Sequence, residues 1–322
     1  MTTVAHDTAS ASRSRTTAGL AFAIASAASF GLSGPIAGGV IESGWSPSAA
    51  VTVRILGAFL VLVVPAAIAL RGRWGLVRAE AGRIAVYGSL AMAVPQLCYF
   101  YAITHMSVAP AILIEFLAPV AVVGWLWLRH AQRPGRRTVA GAVAALAGLV
   151  LVLDVVSGAQ ISLVGVAWAL GAMVGCAAYF VISADERSQL PPIVLAAGGT
   201  LVGGLALLVA GLVGVLPLRA TTVPVSFALG TVPWWLPLLL LAVVTAGLAY
   251  VTGIAAARRL GSRLASFVAL NEVLFAVVFA LLLLSQLPGP VQLAGGVLVV
   301  LGVVLVKLGE PVRTEPEPMP VE

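Results

Sequence analysis

An all-α polytopic membrane protein, with ten transmembrane helices laid out as two inverted five-helix repeats, is the fold class this sequence predicts. Three observations predict it. Of 322 residues, 61% are hydrophobic and 9% charged, where an ordinary soluble domain is roughly 25% charged. The apolar residues fall in long continuous runs rich in Leu, Val and Ala, not in the alternating ten-residue segments of a membrane barrel. A block of sequence also recurs at a constant spacing in the second half of the chain.

The elements follow in order. Residues 1–17, rich in Thr, Ala and Ser with Arg13 and Arg15, read as a disordered cytoplasmic tail. The first apolar run, 18–41, is longer than the h-region of a signal peptide and is followed by further spans, so it reads as uncleaved. About 20 apolar residues cross a hydrocarbon layer of ~30 Å. Runs of that length lie near 18–41, 48–70, 83–104, 107–128 and 138–156, the first repeat (18–156). The second repeat (161–308) has runs near 161–183, 192–216, 234–256, 262–284 and 290–308. Residues 309–322, rich in Pro and Glu, read as a second disordered cytoplasmic tail. Cys98 and Cys176 fall inside runs, form no CxxC pair and read as small buried hydrophobes.

Charge placement sets the orientation. With the N-terminus inside, that side collects Arg13, Arg15, Arg71, Arg73, Arg78, Arg83, Arg129, Arg133, Arg136, Arg137, Arg187, Arg258, Arg259, Arg263, Lys307 and Arg313. Only Arg219 falls outside, and Arg54 lies within a span. Such a bias places both termini in the cytoplasm and the chain in the cell's inner membrane. It accounts for the net charge of +6 without a nucleic-acid partner.

The repeat is explicit. Pro134-Gly135, Ala140-Gly141 and Gly148 recur as Pro288-Gly289, Ala294-Gly295 and Gly302, each 154 residues on. Gly19, opening the first span, matches Gly165, opening the sixth, at 146, so about eight residues enter between; the connection from Arg219 to Pro233 is the expected place. Five spans per copy force the second copy to enter from the opposite side. That arrangement is common in secondary transporters, whose solute sites lie at the repeat interface.

Arg54 in the second span, Gln96 to Ala102 closing the third, and Glu115-Phe116-Leu117-Ala118-Pro119 in the fourth form a recognisable set with Leu270 to Phe275 in the ninth. With the two Pro-Gly…Ala-Gly…Gly blocks, they make the chain resemble the EamA family of the drug/metabolite transporter superfamily. The Glu-Phe-x-x-Pro stretch is similar to threonine/homoserine exporters. The resemblance implies two EamA units, a central cavity open to one side at a time, and outward movement of small metabolites such as amino acids or amphipathic compounds. Where that family commonly has a glutamate, this chain has Gln132 and Gln286, so a carboxylate role there does not carry over.

Three ionisable groups inside spans are the leading site candidates. A charge at mid-span costs roughly 2.5–3.5 kcal/mol on insertion scales, so such groups face a partner or a wet cavity. Arg54 and Glu115 lie ~9 and ~12 Å below the same membrane face at 1.5 Å per residue, so they are expected to pair or share a site. One alternative is a structural ion pair that fixes helix packing. The other has Arg54 meeting a solute carboxylate while Glu115 meets an amine or a proton. Glu272, ~16 Å deep, shares a face with Ala265, Ala269 and Ala276 and adjoins Asn271; it suits a proton-coupled step, or is a glutamic acid bonded to a nearby carbonyl. Pro110 and Pro119 flank Glu115 and free backbone carbonyls. Gln96, Tyr99, Tyr101, Tyr179 and Tyr250 are candidates to line the cavity or sit in interfacial belts. Trp125, Trp127, Trp234 and Trp235 read as interface anchors, and His105 and Asp154 as loop residues.

No enzyme motif is present. His6, His105 and His130 are scattered, no GxSxG or HExxH occurs, and the Gly-rich runs lack the Lys-Ser/Thr of a phosphate loop. No metal or other cofactor is expected. The expected partners are a small-molecule solute and the lipid bilayer, with a homodimer left open. The alternative to a carrier is a channel or a non-transporting scaffold.

Overall fold

The computed structural model describes residues 2–130, 135–153, 162–183 and 190–309. The chain is helical almost throughout. In the first half α1 (Thr2–Gly31), α2 (Ser33–Glu42) and α3 (Pro47–Leu70) precede α4 (Gly75–Ala79) and α5 (Ala81–Val86). A π-helical stretch, Tyr87–Ala93, leads into α6 (Val94–Ala102), then α7 (Val108–Glu115), α8 (Ala118–His130) and α9 (Arg136–Val152). The second half has α10 (Leu163–Ser183), α11 (Pro192–Leu212), the strands β1 (Val225–Phe227) and β2 (Gly230–Val232), and α12 (Trp235–Ala242). A second π-helical stretch, Val243–Leu248, leads into α13 (Ala249–Ala269), α14 (Asn271–Leu284) and α15 (Pro290–Gly309). Six segments among the described residues are long and apolar enough to cross a membrane: Thr17–Glu42, Pro47–Leu70, Ala81–Ala102, Val108–Trp125, Pro192–Leu212 and Trp235–Ala256. Leu163–Tyr179, Asn271–Leu284 and Pro290–Val306 are shorter apolar helices.

Where the sequence expects a disordered tail, α1 is continuous from Thr2. The loop expected between the eighth and ninth spans is likewise helical in α13, through an Ala- and Arg-rich stretch. Gln132, Asp154 and residues 310–322 lie outside the described residues.

The two halves pack as an inverted pair, and reciprocal contacts show it. In a two-fold arrangement, a contact between one residue and the equivalent of another must occur twice, with the halves exchanged. A methyl group added to Gly141 would come 2.5 Å from Gly302 O, and one added to Gly148 would come 2.7 Å from Gly295 O. Gly141 corresponds to Gly295 and Gly148 to Gly302 at the 154 spacing, so this is one contact made twice. It also runs α9 antiparallel to α15. Gly57 against the Ala242 methyl and Gly203 against Gly88 O form a second such pair, related by the same spacings of 146 and 154. Without side chains between them, the helix backbones approach closely enough for dispersion to hold the seams in lipid.

Two departures from plain helix are repeated as well. Pro95 follows the first π-helical stretch, and its missing N–H leaves the Ala91 carbonyl without an α-helical donor. In the second stretch the Thr245 hydroxyl donates to Leu241 O at 2.8 Å, a side-chain bond that competes with the ladder. The fourth span of each half is also broken. Pro119 has no N–H for the Glu115 carbonyl, and the chain leaves helix at Phe116-Leu117. Its counterpart Leu270 separates α13 from α14, where Asn271 Nδ2 donates to Val268 O at 2.8 Å.

The eight-residue surplus expected between Arg219 and Pro233 contains the hairpin, with Val225 paired to Val232 and Phe227 to Gly230. Phe227 packs on Gly39 of α2, and Ala228 N–H donates to Leu283 O at 2.8 Å. Nearby, Ser46 N–H donates to Arg219 O at 3.0 Å. Trp45 Nε1 donates to Thr221 O at 3.0 Å and stacks on Trp234 at 6.3 Å. These ties join the two halves on the face poor in arginine.

Candidate functional site

Arg54 sits on α3 with 4% of its surface exposed. Its Nη1 donates to Gln96 Oε1 of α6 at 2.8 Å. Its Nε donates to Thr245 Oγ1 at 3.2 Å and its Nη2 to Thr245 O at 2.9 Å. The guanidinium also lies 5.7 Å from the Phe100 ring centroid. Hydrogen bonds to a charged group contribute roughly 1.5–3 kcal/mol each, so three of them offset the several kcal/mol of burying an ion. The cation is therefore held by both halves of the molecule.

The network continues through Gln96. Its Nε2 donates to the Tyr250 hydroxyl at 3.4 Å, which donates to Met92 Sδ at 3.1 Å. Gln96 and Tyr250 are equivalent positions at the 154 spacing. Equivalent residues that touch must straddle the pseudo-two-fold axis, so this pair marks it. Phe30 meets the Tyr250 ring edge-on at 5.2 Å, and the buried Tyr99 hydroxyl lies against Gly34 of α2.

The ion pair expected between Arg54 and Glu115 does not form among the described residues. Glu115 ends α7, while Arg54 reaches the carbonyl that the wide turn at Thr245 leaves open. Glu115 on α7 and Glu272 on α14 lie on helices that pack against each other. Both glutamates are half-buried, and neither carboxyl has a hydrogen-bond partner among the described residues. Each side chain thus keeps some accessible surface. With both ionised, the three groups carry a formal charge of −1, which a proton or a cationic group would neutralise.

The other candidates are placed differently. Asn271 is used at the α13–α14 break. Tyr101 stacks on Trp168 at 4.8 Å, and Tyr179 packs beside Tyr87 at 5.9 Å. Pro119 lies in the first turn of α8, and its side chain is outside the described residues. Trp125, Trp127 and Trp235 are exposed, as is His105, whose Nδ1 lies 2.6 Å from Thr104 Oγ1. Sequence reasoning missed Thr245: a threonine inside an apolar run carries no signal until the helix around it is seen to widen.

The sequence profile of the EamA-like transporter family matches residues 17–154 and again 163–308. The chain belongs to the EamA-like transporter family. Each match covers one half of the molecule, so the repeat read from the Gly and Pro blocks is the family's own unit. This EamA protein is also similar to a crystal structure titled only as that of a protein, at 19% identity and TM-score 0.59. The likeness covers 92% of this chain and 97% of the other, and at that identity it shows the fold alone. No curated protein matches the sequence.

In this EamA protein, Gln286, where the resemblance commonly has a glutamate, accepts from Val108 N–H at 3.1 Å. It thereby caps α7 from the loop before α15, since the N-cap residue Ser107 makes no side-chain cap of its own. Gln286→Leu should lose about 1 kcal/mol, read as a lowered unfolding midpoint of the detergent-solubilised protein. An unchanged midpoint would remove the cap from the account.

Proposed function

We propose that this EamA protein is a secondary-active carrier that exports small metabolites, such as amino acids or amphipathic compounds, by alternating access coupled to protons. On this reading, ten spans cross the cell's inner membrane, both termini are cytoplasmic, and Arg54, Gln96, Tyr99, Glu115, Tyr250 and Glu272 line the solute and proton pathway. The observation that carries it is the seam between the inverted halves: one guanidinium is held by both, and the same bundle keeps two carboxyls that have no protein partner among the described residues. Ionisable groups inside a membrane mark solute or proton paths by default. A packing role would instead pair them. The ties at Ser46, Trp45 and the hairpin favour a conformation closed on the outer face.

Counterflow in proteoliposomes, using a radiolabelled mixture of L-amino acids, tests the proposal. A carrier accumulates label against unlabelled solute on the other side, a channel equilibrates without that stimulation, and a scaffold does nothing. An imposed pH gradient should change the rate of net transport. Indifference to the gradient would remove proton coupling while leaving exchange in place.

A further inference from the structure

We propose that Thr245 is a positioning residue: it sets the plane in which Arg54 presents its remaining N–H groups to an anionic group of the solute. This rests on the reading of Arg54 as a solute contact. A guanidinium has five N–H donors. Thr245 takes two of them, Nε through its hydroxyl at 3.2 Å and Nη2 through its carbonyl at 2.9 Å, and Gln96 takes one at 2.8 Å. One N–H on each terminal nitrogen is left over. Two contacts from a single residue along one edge of a planar fork define its plane, whereas the single contact from Gln96 does not.

The hydroxyl is itself held, donating to Leu241 O at 2.8 Å, and Thr245 has no exposed surface. Its carbonyl is available because the chain there is π-helical. Pseudo-symmetry supplies the control. The crossing of α3 over Val243–Leu248 has a counterpart where α11 crosses Tyr87–Ala93. There, Thr200 stands for Arg54 and Ala91 for Thr245. The Thr200 hydroxyl turns back to Ala196 O and Ala197 O at 3.0 and 2.9 Å. Gly88 closes onto the α11 backbone, so that an added methyl would lie 2.6 Å from Gly199 O. The same crossing is therefore built once without charge or clamp. Helix packing does not need the Arg54–Thr245 pair, so the pair serves something else.

The test uses Thr245→Val, which keeps the volume and removes the hydroxyl, and Thr245→Ser, which keeps the hydroxyl. In the full chain in detergent, the rate at which phenylglyoxal modifies Arg54, followed by peptide mass spectrometry, should rise about tenfold in the valine variant. In proteoliposomes, KM for the amino-acid mixture should rise about tenfold with the maximal rate nearly unchanged. Serine should restore both. A wild-type modification rate in Thr245→Val, a loss of maximal rate without a change in KM, or no rescue by serine would overturn the proposal. If the valine variant fails to fold, Thr245→Ala replaces it under the same criteria. If the wild-type chain shows no counterflow, the carrier reading fails by itself, and the modification rate still decides whether Thr245 holds Arg54.

Discussion

Glutamine in place of Glu115 is expected to cut transport by roughly ten- to a hundredfold while leaving expression and thermal stability near those of the wild type. The size follows from losing one charge-assisted contact of roughly 1.5–3 kcal/mol, at 1.4 kcal/mol per factor of ten. Stability should be spared because the Glu115 carboxyl makes no hydrogen bond or ion pair among the described residues, and glutamine fills the same space. Arg54 keeps its three neutral acceptors in the variant, so no buried cation is orphaned. Glu272→Gln should share the phenotype, since Glu272 sits on α14, which packs against the α7 that carries Glu115. Counterflow in proteoliposomes reads the first effect, and thermal unfolding in detergent the second. Unchanged transport at normal expression in Glu115→Gln would take Glu115 out of the pathway.

Leucine at Gly302 is expected to have the largest effect on the fold. A Cβ there would lie 2.5 Å from Ala145 N, 2.6 Å from Gly141 O and 2.8 Å from Ala145 Cα. All three belong to the facing backbone, so no rotamer change relieves the clash. The helices α9 and α15 must separate, at a cost of about 3 kcal/mol or more. Gly296→Ala, nearly two turns away along the same helix, is the control, since its methyl would meet only Leu113 Cδ1, at 3.4 Å. Cys98 is buried and Cys176 half-buried, so a thiol-reactive fluorophore can report unfolding of both variants. Equal midpoints would contradict the close contact of these two helices.

The pair that Gly302 belongs to was legible long before any contact was seen. Gly and Pro blocks repeat because close backbone approach tolerates no substitute, so the same constraint writes the same letters twice. Hydropathy marked the spans for a comparable reason: lipid contact selects composition run by run. Pro119 marked the Glu115 carbonyl as freed, since a missing N–H acts on the residue four positions earlier wherever the helix sits, although the run over 107–128 reads as one unbroken span. The second break at Leu270 and the second π-helical stretch, with no proline to announce them, went unread.

Membrane class, the two-fold repeat, its inversion and the placing of Arg54, Glu115 and Glu272 inside apolar runs were determined by the sequence alone. Each depends on composition or on position along one helix. Which groups meet Arg54 was decided only by tertiary structure. Charge and depth nominated Glu115, but a buried guanidinium takes the acceptors that helix crossing brings into reach. Here those are Gln96 from one half and Thr245, hydroxyl and carbonyl together, from the other.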